Sequence, residues 1–451
     1  MSRNLPRRAF LRRGLAGGVG LLVLPLLQAC GQTAPPAAAP PKPTEAPKPA
    51  APVASAASPA AAPAAASPAA QAAAGGPPIV IGYGFPQSGP LAAYGPEMTA
   101  GAEIALREVN RQVLGRPIQT VIEDTEGKPD TALRKLDKMV SGDNARHVIG
   151  FASSAEALAL ADKMPSLKAT FFATVAQTTK LTGAACNRYV FRTALNDGQY
   201  MKLIEQDLAS NQQLKNGKWA ILAADYEFGR DAAATFKQEA GVQIVSEEYA
   251  ALGSKDFATF INKLQSAKPD AVFLPMVGQD LINFVKQAAD FGLLQQSKLL
   301  VATNIPEFSL KPLGDTLLGV QCVANYTWMD SPGPEHQRFV EAYKALSNGE
   351  LLPGMYAANT YIATRMLVSA IEKAGDPDPE KVIPALEALE FRAPWSTVRF
   401  RKEDHQAITK AYVTEVAKTD QSPYGVALKP TFSLEGDKIT PPISETGCKG
   451  T

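Results

Sequence analysis

His147–Leu167 reads HVIGFASSAEALALADKMPSL. Val148 and Ile149 make a short buried strand, Gly150 leaves it in a tight turn, and a helix begins near Ser153–Ser154. Leu158, Leu160, Ala161 and Met164 recur at helical spacing, and Pro165 is expected to close the run. A serine at a helix start caps the first backbone N–H groups. The same place offers free N–H donors and the positive end of the helix dipole, which suits a carboxylate or another anion. A plain N-cap and a ligand-holding helix start both satisfy this stretch taken alone. The chain around it has to decide.

Outward from that unit the pattern repeats. Ile79–Ile81 is a strand, followed by the loop Phe85–Tyr94 and a helix with Met98, Ala102, Ala105 and Val109 on one face. Thr120–Ile122 gives a second strand that ends at Glu123–Asp124, and Pro129–Asp130 opens a helix carrying Leu133, Leu136 and Val140. Thr170–Ala173 is a fourth strand. After Tyr189–Thr193 the rhythm restarts, with strands at Trp219–Leu222, Val242–Tyr249, Ala271–Leu274 and Leu299–Ala302. Helices at Phe228–Ala240, Phe257–Leu264 and Leu281–Phe291 separate them. Repeated strand–helix units mean parallel sheets covered on both faces. The expected fold class is therefore α/β, with two Rossmann-like lobes on parallel central sheets.

From Gly319 onward the chain supplies one strand (Gln321–Ala324), three helices, and an apparent antiparallel pair, Thr397–Arg401 with Ala411–Ala417. That is too little sheet for a third lobe. It must complete the other two, so the hinge is crossed more than once and a cleft lies between the lobes. Lobe 1 is expected at 79–195 plus 319–405, and lobe 2 at 196–318 plus 406–451.

The amino terminus reads as an address. Arg7-Arg8-Ala9-Phe10-Leu11 is a twin-arginine pattern, and Gly14–Leu27 is apolar but too short for a comfortable membrane span. Leu27-Gln28-Ala29-Cys30 resembles the lipobox of bacterial lipoproteins, which implies cleavage before Cys30 and a lipid on its sulfur. Residues 1–29 are then a signal peptide and 30–78 a lipid-anchored linker. This linker is almost wholly Ala, Pro, Ser and Gly; its composition buries no core, and in extended form it reaches on the order of 100 Å. The expected location is extracytoplasmic, on the membrane as a lipoprotein.

Formal net charge is +1, and the first thirty residues hold five arginines and no acid, which leaves about −4 for the rest. With no basic stripe, nucleic acid is not an expected partner. Cys186, Cys322 and Cys448 fit no zinc spacing, and His147, His336 and His405 are far apart, so neither a metal nor a cofactor is expected. Export permits a disulfide, and Cys186 with Cys448 is the pair chosen, over either pairing with Cys322. Gly82 and Gly84 begin like a dinucleotide loop, but Gln87 stands at the third glycine position. An exported hydrolase would need a Gly-x-Ser-x-Gly elbow; Gly150–Ala155 lacks the second glycine and no histidine is placed to serve. The chain is not expected to be an enzyme.

The body resembles the leucine/isoleucine/valine-binding type of solute receptor for ABC importers, the periplasmic binding protein type I fold. The resemblance is carried by Ser88-Gly89-Pro90 with Tyr94-Gly95, Gly101-Ala102, Glu108-Val109-Asn110 and Asp124. Val148–Gly150 leading to Ser153–Ser154, Leu181-Thr182-Gly183, Tyr189–Arg192, Asp225–Gly229 and Gly319 continue it. Their order and spacing across 79–447 carry the likeness rather than any single motif.

The resemblance implies a monomeric binder that closes on a small-molecule ligand and presents it to ABC permease and ATPase subunits. A ligand sensor serving a membrane receptor is the rival reading. In such receptors a serine at the third-strand helix start holds the ligand carboxylate, which falls on Ser154, with Ser153 beside it. Residues after the fourth strand fall on or near Val175 and Gln177. The first-loop aromatic falls on Tyr94, and the second-lobe aromatic on Phe228 with Tyr226 as neighbour. The pattern departs at three places: Gln177 replaces a threonine hydroxyl, Val277 replaces a tyrosine, and no carboxylate stands near Thr303–Asn304. A buried α-ammonium needs an opposite charge. Unless Glu307 substitutes, the expected solute is an amide, an aromatic or other carboxylate, or another small polar molecule rather than a zwitterionic amino acid.

Overall fold

The computed structural model describes residues 76–451 apart from 304, 331 and 332. The signal peptide, Cys30, the linker as far as residue 75, and Asn304 lie outside the described residues. The first sheet has the order β2-β3-β1-β4-β5-β6. Its strands are β1 (Ile79–Phe85), β2 (Gln112–Val113), β3 (Arg116–Asp124), β4 (His147–Gly150), β5 (Thr170–Ala173) and β6 (Val190–Arg192). All its pairings are parallel except β2 with β3. Every residue of β4 and β5 is buried, as a parallel strand covered on both faces requires.

The second sheet has the order β16-β15-β11-β10-β9-β7-β8. Its parallel part is β7 (Lys218–Ala224), β8 (Gln243–Ala250), β9 (Ala271–Leu274), β10 (Lys298–Val301) and β11 (Gln321–Ala324). A small third sheet, β12 (Glu390–Arg392), β13 (Thr397–Phe400) and β14 (Ala407–Ile408), sits on the first lobe. Two antiparallel strands, β15 (Ala411–Lys418) and β16 (Val426–Leu434), finish the second sheet.

Two expected boundaries move. The strand from Gln321 pairs with β10 and β15, so the return to the first lobe falls near Pro334 instead of 319. Strand β13 pairs with β12 and β14, whereas β15 joins the other sheet, so these two strands are not one hairpin and the last crossing comes after Ile408. Strand pairing is decided by which sheet edge stands free, and nothing local in 321–324 or 411–418 encodes that. The helix Met355–Ala374 packs along the helix Gly95–Glu108, and Gly101 stands where a Cβ would lie 2.1 Å from the Ala357 carbonyl.

The opening stretch folds as a strand, a turn and a helix. Gly150 has φ +117° and its missing Cβ would lie 2.5 Å from the Gly84 carbonyl, so only glycine fits the turn. Ser153 is the N-cap of the helix Ser154–Leu167, in a capping box with Glu156. Pro165 does not end this helix, which runs on to Leu167. The Ala161 carbonyl, which Pro165 cannot bond, instead accepts from Asn187 Nδ2 at 3.0 Å.

The carboxyl terminus returns to the first lobe. The helix Ile443–Thr446 packs on the turn Thr179–Thr182, and Cys186 is bonded to Cys448, with Cα atoms 5.6 Å apart across 262 residues of sequence. A cross-link over so long a loop restricts the unfolded chain strongly. The double variant Cys186→Ser, Cys448→Ser should lose about 2–5 kcal/mol of stability in denaturant titration. No change in midpoint would mean that the bond constrains nothing.

Candidate functional site

The carboxyl edges of the two parallel sheets face each other across a small cavity of about 20 Å³. The first lobe contributes Leu91, Tyr94, Ala152, Ser154 and the segment Val175–Gln177, with Tyr356 from the start of the helix Met355–Ala374. The second lobe contributes Tyr226, Phe228, Val277 and Thr303. Seven residues singled out from the sequence therefore meet here: Tyr94, Ser154, Val175, Gln177, Tyr226, Phe228 and Val277. Ser153 does not line the cavity; its N–H donates to Glu156 Oε2 at 2.8 Å and it serves the helix cap. Tyr356 had no sequence signal, because it reaches the cleft from a helix two crossings away. Larger hollows lie elsewhere, one at the foot of lobe 1 where Arg116 and Arg146 line the wall with Asp376 and Asp378.

Among the described residues, no charged side chain lines the cavity. Ser154 is the first residue of its helix, 1% exposed, and its Oγ accepts the Thr178 N–H at 3.3 Å. That leaves its own hydroxyl proton to donate. Gln177 Nε2 is buried without a hydrogen-bond partner. Glu307 is buried outside the cavity lining, and burial together with neighbouring Glu97 holds its carboxyl well above the usual range. It does not supply the missing counter-charge to the cavity. What the site offers is hydrogen-bond donors at a helix start and four aromatic rings.

The lobes touch over this cavity. Tyr94 OH accepts the Gly278 N–H at 2.8 Å, and Thr303 Oγ1 lies 3.0 Å from Tyr356 OH. At the rim Asp231 accepts from Thr178 Oγ1 (2.9 Å) and from the Thr179 N–H (2.6 Å), and Lys180 pairs with Glu227 at 2.8 Å. The Tyr94 and Tyr356 rings lie 4.6 Å apart.

Two lobes with facing parallel sheets, several crossings and a cleft between them define a solute-binding protein. The periplasmic binding protein profile matches residues 78–421, and the chain belongs to that family. The leucine-, isoleucine-, valine-, threonine- and alanine-binding protein of Pseudomonas aeruginosa is 26% identical over 328 residues, 71% of this chain and 85% of its own length. An amino acid ABC transporter substrate-binding protein from Pseudomonas fluorescens Pf-5 shares the fold, with TM-score 0.75, 24% identity, and coverage of 83% of this chain and 99% of its own. An ABC transporter solute-binding protein from Rhodopseudomonas palustris BisB5, solved in complex with 3,4-dihydroxybenzoic acid, has TM-score 0.71 and 26% identity, covering 79% and 97%. The family places this chain among extracytoplasmic binding proteins of the ABC-transporter type.

The loop that brings Leu91 and Tyr94 to the cavity is fastened by Asp124 at the end of β3. Its Oδ1 accepts the N–H groups of Gln87 (2.8 Å) and Glu126 (3.0 Å), and its Oδ2 accepts Ser88 Oγ–H at 2.7 Å. Glu123 beside it instead pairs with Lys135 and Lys138, both at 2.6 Å. Burial raises the Asp124 carboxyl, but the bonds from Ser88, Glu126 and Gln87 outweigh it and hold the pKa at about 2, below the ordinary 3.8. A depressed folded pKa gives stability that is complete above the ordinary value and fades as pH falls through the folded one. Between about pH 4 and pH 2, Asp124→Asn should therefore lose stability less steeply than the parent in unfolding titrations. Identical slopes would remove Asp124 as the anchor.

Proposed function

We propose that this protein captures a small organic carboxylate without an α-ammonium group and delivers it to an ABC permease, tethered to the membrane through a lipid on Cys30. The observation that carries the reading is a narrow cleft with helix-start donors and, among the described residues, no acid in its wall. A carboxylate head accepts from the Ser154 hydroxyl, the adjoining backbone N–H groups and Gln177 Nε2. A planar or branched body lies among Tyr94, Tyr226, Phe228 and Tyr356. At about 20 Å³ the space between the touching lobes holds little more than a water, so the lobes part to admit a solute as large as a single ring or a short chain. The Rhodopseudomonas relative with a bound aromatic acid supports this class of ligand, and the amino acids in the Pseudomonas aeruginosa relative's name define the competitor.

Calorimetry on the mature body should find benzoate-type acids bound more tightly than leucine. An α-ammonium sealed without a partner costs several kcal/mol, worth two or more orders of magnitude in affinity. Submicromolar leucine binding would refute the ligand class. Ser154→Ala should weaken the best acid by about 1–3 kcal/mol; an unchanged affinity would leave Ser154 a helix residue only. For the tether, mass spectrometry of native material should find a lipid on Cys30 at a new amino terminus, and an unmodified Cys30 in an intact chain would overturn it.

A further inference from the structure

We infer that Arg192 is a positioning residue for the ligand-contact loop 174–182, acting from outside the cavity through a knot it forms with Gln406. The ligand clause of this inference rests on the function proposed above; the loop clause does not.

Arg192 closes β6 and is fully buried, yet it lines no part of the cavity. Its guanidinium bonds almost wholly to one loop. Nη1 donates to the carbonyls of Thr178 (2.6 Å) and Ala176 (3.4 Å), and Nη2 donates to Thr182 Oγ1. Nε donates to Gln406 Oε1 at 2.7 Å. That same Oε1 accepts from Thr182 Oγ1 (3.0 Å) and Asn196 Nδ2 (3.3 Å), while Gln406 Nε2 donates to the Ala194 carbonyl at 2.9 Å. One arginine and one glutamine thus join the loop to the first and last crossings between the lobes.

The loop needs such a partner. Between β5 and the turn at Thr179 it has no ladder of its own, and buried carbonyls must be satisfied somewhere. Turning the Ala176 and Thr178 carbonyls inward to Arg192 leaves Val175 and Gln177 in the cavity wall. It also sets the Thr178 N–H on Ser154 Oγ and the Gln177 carbonyl on the Asp197 N–H, at 3.3 and 2.9 Å. Lysine has no planar fork to hold several acceptors at once. A desolvated charge is also a poor choice for stability alone, since well-packed apolar groups often do as well or better. Asp197, Asp404 and Asp231 are the acids whose field reaches the guanidinium, but its hydrogen bonds to Gln406, Ala176, Thr178 and Thr182 all go to neutral acceptors. That geometry serves shape.

The test is hydrogen–deuterium exchange on the full mature chain, with no ligand. Arg192→Lys is the direct variant and carries the risk of not folding. Thr182→Val and Gln406→Ala each remove one strut and leave the guanidinium in place. In both, exchange in the peptide covering 174–182 should quicken at least tenfold while β1, β7 and β9 keep parental protection. Unchanged exchange in the loop, or equal acceleration everywhere, would overturn the positioning role. The ligand clause is read separately with benzoate as the probe. Gln406→Ala should weaken benzoate about tenfold, and this loss should shrink in a Gln177→Ala background but persist in a Phe228→Ala background. Equal losses in both backgrounds would overturn it. If benzoate does not bind the parent, the ligand clause falls with the proposed function, and the exchange result still decides the loop.

Discussion

Parallel strand–helix units hand over from strand to helix at one and the same edge of a sheet. Every helix start in a lobe therefore collects along that edge, with unpaired N–H groups and the positive end of its dipole outward. Here two such edges face one another, so the cleft is donor-rich before any side chain is considered. Ser154 and Gly278 both stand at the first turn of a helix on opposite walls, and each already engages a group across or beside the cleft. The side chains refine a field that the backbone has laid down.

Within that field the wall composition sets the kind of solute. Charges inside a closed cavity are costly unless paired, and the two acids behind this one, Glu97 and Glu307, are both pushed upward by burial. Glu97 is further occupied by the N–H groups that start the helix Met355–Ala374. The cavity wall is left with hydroxyls, one amide, aromatic rings and the aliphatic side chains of Leu91, Val175 and Val277, a set that rewards an acceptor head and a flat or apolar body.

Closure draws on contacts of several kinds. The rim pairs, such as Lys180 with Glu227, are partly exposed and individually weak. The inner pair, Thr303 with Tyr356, is buried and is made only when the lobes meet. A solute shifts the balance between open and closed forms only by what it contacts in one and not the other. A cavity wall drawn from both lobes makes almost every ligand contact of that kind, and the loop 174–182 carries both sorts at once: Gln177 faces the cavity, and Thr178 and Thr179 meet Asp231.

The sequence by itself determined the alternation of strand and helix, the two lobes and the helix start at Ser153–Ser154. Those are local properties: hydrophobic period, capping residues and glycine at a turn only glycine can make. The likeness to amino-acid receptors pointed to the missing acid near Thr303–Asn304, with Glu307 the one acid close enough in sequence to replace it. The sequence misjudged Pro165, where a side chain from Asn187 relieves the carbonyl that the proline leaves free. Only the tertiary structure decided that β11 and β15 share a sheet, that Tyr356 enters the cleft, and that Ser153 caps while Ser154 faces inward. It alone brought Arg192, Thr182 and Gln406 together. Each of those outcomes depends on which distant segment occupies a free edge or a buried donor, and chain proximity carries no information about that.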